Sequence, residues 1–401
     1  MKLLFITPTK IDYPPKDGAS IAAFYRAYYL KKKFDATCDL IAPGDTDSKI
    51  RLEKTGVFRK IFLYNKKPIW YSNTKALLSI YTFSMIRNSL NHEDIDNIGN
   101  MFDFDEYDCI NFEHSYSYYV YNQLSKYFKS THAKKVFWAH NVDYVYFYNL
   151  FKESKQTVEK FINFLNYIKL RFLEPRYLKK FDYILTLAYH DRVNLKKILN
   201  QDNIYWIPVN VPEPEQKDKL VSVLDELRSK THNCKYRIIF TGKLNHISNI
   251  EAVLWFSNRV LPIIRENLKD VCFLIVGYAP DKSIKSLENN KDIFLYSNVD
   301  SVSPFFYLAD LCVIPLFNNA GIKIKLIEAI KHKTKIVARP EALVGANLTN
   351  IIPNATNEKE FANLCLKALK NEINFDDILE RANEMFDDHK NLSLYLNLCQ
   401  S

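Results

Sequence analysis

The sequence predicts an α/β protein with two domains, each built on a parallel sheet that helices cover on both faces. Its 401 residues exceed the usual length of about 100–200 residues for one domain. Short β-rich runs alternate with longer helical patterns along the whole chain, which is typical of parallel strands joined by helices. A segment rich in proline and charge at 209–217 separates two such series, so we expect a domain boundary there.

The predicted strands are short runs rich in β-branched and aromatic residues. In the first series they lie at 3–6, 38–42, 109–112, 135–139, 183–187 and 204–207. In the second series they lie at 237–241, 271–276, 293–296, 311–316 and 335–338. Apolar residues recur on one side of two predicted helices, at 155–173 and 248–267.

Charge and composition exclude several classes of protein. Hydrophobic residues make up 47% of the chain and charged residues 25%, as in soluble globular proteins rather than disordered or fibrous ones. The N-terminal apolar run is too short for a signal peptide, and no stretch approaches the roughly 18 apolar residues of a membrane-spanning helix. The net charge of +9 suits an acidic ligand, an anionic membrane or nucleic acid equally well. A low-GC coding bias would produce the same charge.

The seven cysteines are scattered along the chain without a CxxC pair. Cys272 and Cys312 lie inside predicted strands, where they resemble small buried hydrophobic residues. An odd, unpatterned set is simplest in a reducing compartment. We therefore expect free thiols, neither disulfides nor zinc ligands, and a cytoplasmic protein.

The most informative stretch is an anion site predicted at 311–329, where an apolar strand leads into a charged helix. The pattern predicts a helix that opens at Gly321 and carries Lys323, Lys325 and Glu328 in its first turns. Cations at a helix N-terminus are disfavoured by roughly 0.3–1 kcal/mol unless an anion comes between. Gly321, Lys325 and Glu328 would share one helical face. The cations would bind phosphate and the carboxylate would bind hydroxyl groups. A nucleotide-sugar carries both.

Glycines mark further candidate positions, because only eight occur in the chain against a typical share of about 7%. Gly18, Gly242, Gly277 and Gly321 lie at or just beyond the ends of predicted strands. Each is expected to serve a backbone need, such as a positive φ or a close ligand approach.

Two of the strand ends in the second half suit a nucleotide. Gly242 is followed by the cation Lys243, the arrangement expected where a phosphate meets a strand tip, and Gly277 repeats the strand-to-glycine exit. The exit from Ser297 to Val299 would meet a nucleobase through backbone groups.

Strand ends in the first half carry a glycine loop and two histidines. Gly18 lies in a loop between a strand and a helix, a recurring ligand-binding geometry, although a simple turn is the commoner meaning of a lone glycine. His114 and His140 each follow a predicted strand, which places them at the ligand-binding edge of the sheet. The alternative for both is a structural histidine with satisfied hydrogen bonds.

The predicted helix at 155–173 leads into a basic, aromatic segment at 176–181. Such a region is able to bind anionic lipid. An ordinary surface or interdomain helix is the favoured interpretation.

The second half resembles the family 4 glycosyltransferases, retaining enzymes of GT-B architecture that use nucleotide-sugars. The resemblance covers most of 235–370. It rests on residues that follow one another in this order: Phe240-Thr-Gly-Lys243, Asn249, Trp255-Phe256, Val260-Leu-Pro262, Leu274-Ile-Val-Gly277, Ala309-Asp310, Ile314-Pro-Leu316, Gly321 to Ala329 and Lys335-Ile-Val337. A looser match in the first half involves Gly18, His140-Asn-Val-Asp143 and the segment from Phe181 to Asp191.

The resemblance implies two Rossmann-like domains whose parallel sheets face a central cleft. The N-terminal domain, on the acceptor side, would occupy 1–210, followed by a linker at 211–234. The nucleotide-sugar-binding domain would occupy 235–370. Helices at 371–401 would pack back on the N-terminal domain.

The resemblance also implies roles for individual residues. Glu328 would bind the ribose hydroxyls, Lys243 and Lys325 would neutralise the diphosphate, and His140 would contact the transferred sugar. The implied catalytic set is these four residues. The implied donor-binding set is Gly18, Gly242, Lys243, Gly277, Ser297, Val299, Gly321, Ile322, Lys323, Lys325 and Glu328.

Two positions depart from the pattern of the family. Members often carry two glutamates with seven residues between them, and the earlier position here is Ala320. Another commonly basic position is Asn249, so Lys323 or Lys243 would bear more of the phosphate charge.

We therefore expect a hexosyltransferase-type enzyme that transfers a sugar from a nucleoside-diphosphate-sugar to a glycan or lipid-linked acceptor, with retention, in bacterial surface polysaccharide or glycoconjugate synthesis. No cofactor, metal or nucleic acid is expected, and peripheral contact with the inner face of an anionic membrane stays an alternative. Two other hypotheses remain: a catalytically silent GT-B partner subunit and a sugar-nucleotide epimerase of the same fold.

Overall fold

A computed structural model describes residues 1–15, 17–154 and 156–401. The chain divides into two compact units. The first comprises Met1–Asn210 with Asp388–Ser401, and the second comprises Val211–Asp387.

The first unit is built on a parallel sheet of seven strands. They are β1 Lys2–Ile6, β2 Thr37–Pro43, β3 Phe58–Tyr64, β4 Cys109–Glu113, β5 Lys134–Ala139, β6 Tyr183–Thr186 and β7 Ile204–Trp206. Their spatial order is β3-β2-β1-β4-β5-β6-β7. The order reverses between β1 and β4, and the carboxyl ends of strands beside such a switch point are the usual ligand-binding edge.

Helices connect these strands. They are α1 Gly18–Phe34, α2 Thr46–Thr55, α3 Ile69–Leu77, α4 Phe83–Arg87, α5 His92–Met101, α6 Tyr118–Phe128, α7 Asp143–Glu153, α8 Thr157–Leu178 and α9 Tyr189–Leu199.

The second unit has a parallel sheet of five strands in the order β10-β9-β8-β11-β12. The strands are β8 Tyr236–Lys243, β9 Val271–Tyr278, β10 Ile293–Ser297, β11 Leu311–Ile314 and β12 Ile336–Ala338. The switch point lies between β8 and β11. The helices are α10 Val221–Lys230, α11 Ile247–Trp255, α12 Leu261–Asn267, α13 Lys282–Lys285, α14 Ser303–Leu308, α15 Ile324–Lys331, α16 Pro340–Leu343, α17 Glu358–Leu369 and α18 Phe375–Met385.

All predicted strands are confirmed, each with ends within two residues of the prediction. The sequence prediction missed β3, because Arg59 and Lys60 interrupt its apolar pattern. In the structure β3 is an edge strand, and the guanidinium of Arg59 pairs with the carboxylates of Asp39, at 2.5 Å, and Glu106, at 2.6 Å. The charges thus lie at the sheet edge, where they also discourage pairing with another chain.

Several predicted elements begin or continue differently. The helix predicted at 248–267 is interrupted by a π-helical turn at Phe256–Val260, just before Pro262, which has no N–H for a regular helical bond. The helix predicted at 155–173 begins on a residue that lies outside the described part of the chain; the observed helix is α8. The segment predicted as a linker contains α10 and lies within the second unit.

The expectation that all cysteines are free is wrong. Cys234 and Cys272 form a disulfide with a Cα–Cα distance of 5.6 Å. Tyr236 of β8 pairs with Val271 of β9, and this register brings the two thiols together although 38 residues separate them in sequence. Cys38, Cys109, Cys312, Cys365 and Cys399 are free and buried.

A last helix, α19 Asp388–Gln400, packs on the first unit. The hydroxyl of its fully buried Tyr395 donates to Asn111 Oδ1 at 2.9 Å, and the same oxygen accepts from Trp138 Nε1 at 2.9 Å. Within the described residues, no helix is long and apolar enough to cross a membrane.

We expect Tyr395→Phe to lower the free energy of unfolding by about 1 kcal/mol, since one buried hydrogen bond is lost while Asn111 keeps its bond to Trp138. Urea denaturation would measure this change. The matched control is Tyr183→Phe, whose exposed hydroxyl bonds Ser401 Oγ and whose removal should change stability by less than about 0.5 kcal/mol. Equal effects in the two variants would contradict the assignment of α19 to this core.

Candidate active site

The candidate site in the second unit lies at the carboxyl end of β8, beside the switch point. Gly242 closes β8 with a φ of 152°, and a Cβ atom there would lie 2.8 Å from Lys325 Nζ and 3.1 Å from Asn249 Nδ2. Only a glycine therefore leaves room for the lysine ammonium against this backbone.

Lys325 is a buried cation whose described contacts are neutral. Its Nζ donates to Asn249 Oδ1 at 2.8 Å and lies 3.7 Å from the centre of the Phe240 ring. Asn249 is itself oriented by a bond from Nδ2 to the Lys243 carbonyl, at 2.8 Å. Burial lowers the pKa of Lys325 to about 7, because amide and ring contacts do not replace lost hydration.

Lys323 is held beside the same site. Its Nζ donates to Asn318 Oδ1 at 2.6 Å and to the Ala320 carbonyl at 2.7 Å. Burial lowers its pKa to about 8.

His246 lies among the cations of this site. Burial, together with the charges of Lys243, Lys323 and Lys325, lowers its pKa. The three lysines therefore create one positive field, although Lys243 is exposed. His246 was not among the predicted site residues, and its one signal in the sequence is its place shortly after a strand end.

Glu328 follows Lys325 by one turn of α15, and burial raises the pKa of its carboxyl to about 7 against the opposing charge of Lys325. The helix begins at Ile324, so the prediction that it opens at Gly321 is wrong. Gly321, Ile322 and Lys323 form the turn that precedes the helix, and Gly321 does not share the helical face of Lys325 and Glu328. The turn is needed because Gly321 has a φ of 60°, which ends any helical continuation.

Further glycines allow backbone segments to approach each other closely. A Cβ on Gly277 would lie 1.8 Å from the Gly242 carbonyl oxygen. A Cβ on Gly345 would lie 2.1 Å from the Gly321 oxygen and 3.1 Å from Ile322 Cα. Gly345 therefore supports the 321–322 turn from behind. Gly345 was not among the predicted positions, because it does not follow a predicted strand.

The segment from Ser297 to Val299, where the chain leaves β10, is hydrogen-bonded to the end of the neighbouring strand β9. Asn298 N donates to the Gly277 carbonyl at 2.7 Å, and Asn298 Oδ1 accepts from Ala279 N at 3.2 Å. The ends of β9 and β10 thus form one bonded edge, with Ser297 exposed.

In the first unit, His140 follows β5 and belongs to a buried polar group. Its Nε2 lies 2.6 Å from Glu113 Oε2. The other carboxylate oxygen of Glu113 pairs with Arg26, whose guanidinium lies 3.4 Å from the centre of the Trp138 ring. Burial opposes ionisation of Glu113, but the charges of Arg26 and His140 outweigh it and hold its pKa below the usual value.

Gly18 is the first residue of α1 rather than part of a free loop. Asp17 caps this helix, and its carboxylate accepts from Ala19 N at 3.1 Å and Ser20 N at 3.0 Å. The carboxylate thus occupies two of the N–H groups that an anionic ligand would use.

Buried carboxylates surround the start of α7. Glu174 accepts from the backbone N–H groups of Asp143 and Tyr144 at 3.0 and 2.9 Å. Burial raises the pKa of Asp143 to about 6 and that of Asp191 to about 7. In the part of the chain that the structure describes, no group of three or more His, Cys, Asp or Glu side chains has an arrangement able to hold a metal ion.

Comparison with known proteins shows a resemblance in the part of the chain that contains this site. Residues 235–371 match the family described as "Glycosyl transferases group 1". The chain resembles the group 1 glycosyltransferases. The matched residues include both strands at the switch point and all of α15, so they contain the buried lysines and Glu328.

The structure also resembles solved glycosyltransferases along its whole length. HepE from Anabaena, crystallised with UDP and glucose, has a TM-score of 0.66 at 13% identity, with 100% of each chain covered. A glycosyltransferase from Rickettsia africae has a TM-score of 0.65 at 14% identity, covering 100% of this chain and 99% of that one. These matches confirm the predicted GT-B fold.

A curated relative from Klebsiella pneumoniae is named as an uncharacterized 44.6 kDa protein in the cps region. It is 23% identical over 276 residues, which are 61% of this chain and 66% of the relative. The matched part is thus just under two thirds of the length of that protein.

We expect the pH dependence of stability to report the burial of Lys325. Between pH 7 and 10.5 the unfolded chain binds a proton at this lysine that the folded chain lacks. The wild-type free energy of unfolding therefore gains up to about 1.4 kcal/mol per pH unit from this group as pH rises. Lys325→Met lacks that gain, so its stability relative to wild type should fall between pH 7 and 9.

Urea denaturation at several pH values would measure the difference, with Lys359→Met as the control on the exposed side of α17. A constant difference between Lys325→Met and wild type across this range would show that the lysine is hydrated in the folded protein.

Proposed function

We propose that this protein is a glycosyltransferase that transfers a sugar from a nucleoside-diphosphate-sugar to a glycan or lipid-linked acceptor. One observation carries the proposal: Lys325 and Lys323 are buried together at the start of α15, where the direct contacts described for Lys325 are an amide oxygen and an aromatic ring and the carboxyl of Glu328 opposes its charge. Burying two cations beside a single carboxyl group leaves uncompensated positive charge, which is unfavourable, so a site of this kind is stabilised by an anionic ligand. The helix N-terminus adds N–H groups and a favourable dipole for that anion.

The same lysines explain how transfer would be accelerated. Negative charge grows on the leaving nucleoside diphosphate as its bond to the sugar breaks, and fixed cations in a poorly hydrated site stabilise that charge most in the transition state. Lys325 and Lys323 would bind the diphosphate, with Lys243 at the exposed rim. The backbone at Gly242, Gly277 and Gly321 would let the phosphates approach closely.

Glu328 would bind the ribose hydroxyls through its carboxylate, and His140 would contact the transferred sugar. Ser297 and Val299 would meet the nucleobase through backbone groups. The site offers cations in place of a metal ion, so we propose transfer without a metal cofactor and with retention of configuration. UDP is a reasonable first nucleotide to test, since HepE was crystallised with it. The cps region of the curated relative supports a role in bacterial surface polysaccharide or glycoconjugate synthesis.

We expect UDP or another nucleoside diphosphate to raise the melting temperature of the wild-type protein by mass action. The measurement is a thermal-shift panel of UDP, GDP, ADP, CMP and their sugars, followed by a transfer assay with the best donor. Lys325→Ala should remove both the shift and transfer, and Glu328→Ala should weaken both. Lys359→Ala, on an exposed helix face, is the control.

The outcomes separate the competing functions. Full transfer by both Lys325→Ala and Glu328→Ala would refute the site assignment. Binding without transfer to any acceptor would favour a silent partner subunit, whereas conversion of the bound sugar without an acceptor would identify an epimerase.

We also propose that the first unit contacts an anionic membrane through an apolar surface on α8 and the loop after α3. On α8, Val158, Phe161 and Phe172 are more than half exposed. The last residue of α3, Leu77, and the loop residue Leu78 add to this surface, and Leu78 is 86% exposed. Large apolar side chains grouped in this way mark interaction surfaces.

Contacts of one lysine join the helix and the loop into a single surface. Lys169 of α8 donates from Nζ to the carbonyls of Ala76 and Tyr81. Exposed lysines and arginines occur in or directly next to the same helices, at Lys75, Lys160, Arg171, Arg176, Lys179 and Lys180. Apolar residues accompanied by basic ones fit the interface of an anionic bilayer and would bring the enzyme to a lipid-linked acceptor.

We expect the protein to sediment with vesicles that contain phosphatidylglycerol and not with vesicles of phosphatidylcholine alone. Phe172→Asp combined with Leu78→Asp should abolish sedimentation, because burying a carboxylate in lipid is unfavourable. Val221→Asp, at another exposed apolar position, is the matched control. If the double variant instead changes a wild-type dimer into a monomer and vesicles make no difference, the surface binds a second copy of the chain.

A further inference from the structure

His114 has a strained backbone. It follows β4 with φ 59° and ψ 152°, at the edge of a region that is essentially restricted to glycine. By contrast, three other residues with positive φ lie in the left-handed helical region, with ψ between 33° and 51°, where Asn and Asp are tolerated: Asp35, Asn200 and Asn347. Strain of the His114 kind persists only where the surrounding structure fixes it, and it concentrates at functional sites.

Hydrogen bonds hold the strained backbone on both sides. The N–H of His114 donates to the Trp138 carbonyl at 3.1 Å. Its own carbonyl accepts from Ser117 N at 3.0 Å and from Ser117 Oγ at 2.7 Å. The conformation is therefore imposed by the end of β5 and the turn that follows His114.

The residues before and after His114 are also anchored. Glu113 pairs with the buried guanidinium of Arg26. Ser115 Oγ donates to the buried carboxyl of Asp143. A chain fixed at both neighbours cannot relax by rotating His114 into an ordinary conformation.

The strain holds the His114 ring on His140. The two ring centres lie 3.8 Å apart with planes at 20°. Burial, with the nearby charges of His140 and Lys66, holds the pKa of His114 well below its usual value. His114 is accordingly neutral at pH 7, and the stack carries no repulsion between two cations.

Glu113 restrains the edge of the same His140 ring. Its Oε2 lies 2.6 Å from His140 Nε2, while Oε1 is held by Arg26. With Glu113 ionised, Nε2 carries a proton toward it in the charged and in the neutral ring, so a neutral His140 is the tautomer with its proton on Nε2. Nδ1 is then the ring nitrogen left to contact a ligand.

We propose that His114 and Glu113 are positioning residues that fix the plane and the tautomer of His140, so that its Nδ1 is presented to the transferred sugar. The proposal rests on the proposed function through the role of His140. It goes beyond that function by explaining why the fold retains a strained histidine. A small error in the orientation of a contacting group costs up to about a hundredfold in rate, which is the gain that would justify the strain.

Three substitutions at His114 separate strain from ring contact. His114→Gly removes both, His114→Ala removes the ring but keeps the strain, and His114→Phe keeps a ring face in the strained backbone. We expect the glycine variant to melt at a higher temperature than the alanine variant. Both should lose turnover, by about ten- to a hundredfold in kcat with little change in the KM of the donor, whereas His114→Phe should retain most of it.

A spectroscopic readout makes the test independent of activity. Long-range ¹H–¹⁵N spectra of protein labelled at histidine report which ring nitrogen is protonated. Wild-type His140 should show a proton on Nε2, and Glu113→Gln and His114→Ala should show mixtures of tautomers or broadened signals.

The outcomes decide the proposal separately from the proposed function. Unchanged His140 signals in both variants, or full turnover in His114→Ala, would overturn the positioning role. If the wild-type protein uses no nucleotide-sugar, the proposed function fails, and the His140 spectra alone decide whether the ring is positioned. A glycine variant no more stable than the alanine variant would show that His114 is unstrained and would also overturn the inference.

Discussion

The second unit depends on the close approach of a lysine ammonium to a glycine backbone at the switch point of its sheet. Lys325 has space for its Nζ only because Gly242 has no side chain, and Asn249 Oδ1 fixes the ammonium by accepting its hydrogen bond. Gly277 and Gly345 extend this packing to the neighbouring strand end and to the turn before α15. The result is a cation that is fixed and poorly hydrated before any ligand binds. Such preorganised charge is what stabilises the negative charge that develops in a transition state.

The first unit also fixes its polar side chains before a ligand binds, but it does so by pairing opposite charges. Its polar group is fully paired: Arg26 holds Glu113, and Glu113 holds His140. The unfavourable feature of this site is the strained backbone of His114, whereas in the second unit it is the burial of lysine charges. Trp138 links this group to α19, since it stacks under Arg26 and shares the Asn111 oxygen with Tyr395. The C-terminal helix thereby completes the core beneath His140.

Local patterns predicted much of this protein, and the misses have physical causes. Buried parallel strands appear as short apolar runs, so eleven of the described strands could be placed, whereas the charged edge strand β3 could not. The start of α15 was placed three residues early, because a positive φ at Gly321 is a property of the folded turn. The disulfide between Cys234 and Cys272 depends on the register of β8 against β9, which no spacing rule contains.

The sequence by itself determined the fold class, the strand order along the chain and the presence of Lys325 and Glu328 where a helix begins. These features depend on residue type and periodicity, which neighbours in the chain decide. Only the tertiary structure decided which cations are buried together, which glycine supports which turn, and that His114 is held against His140. Burial, pKa and strain arise from contacts between residues far apart in sequence, so they exist only once the sheets have formed.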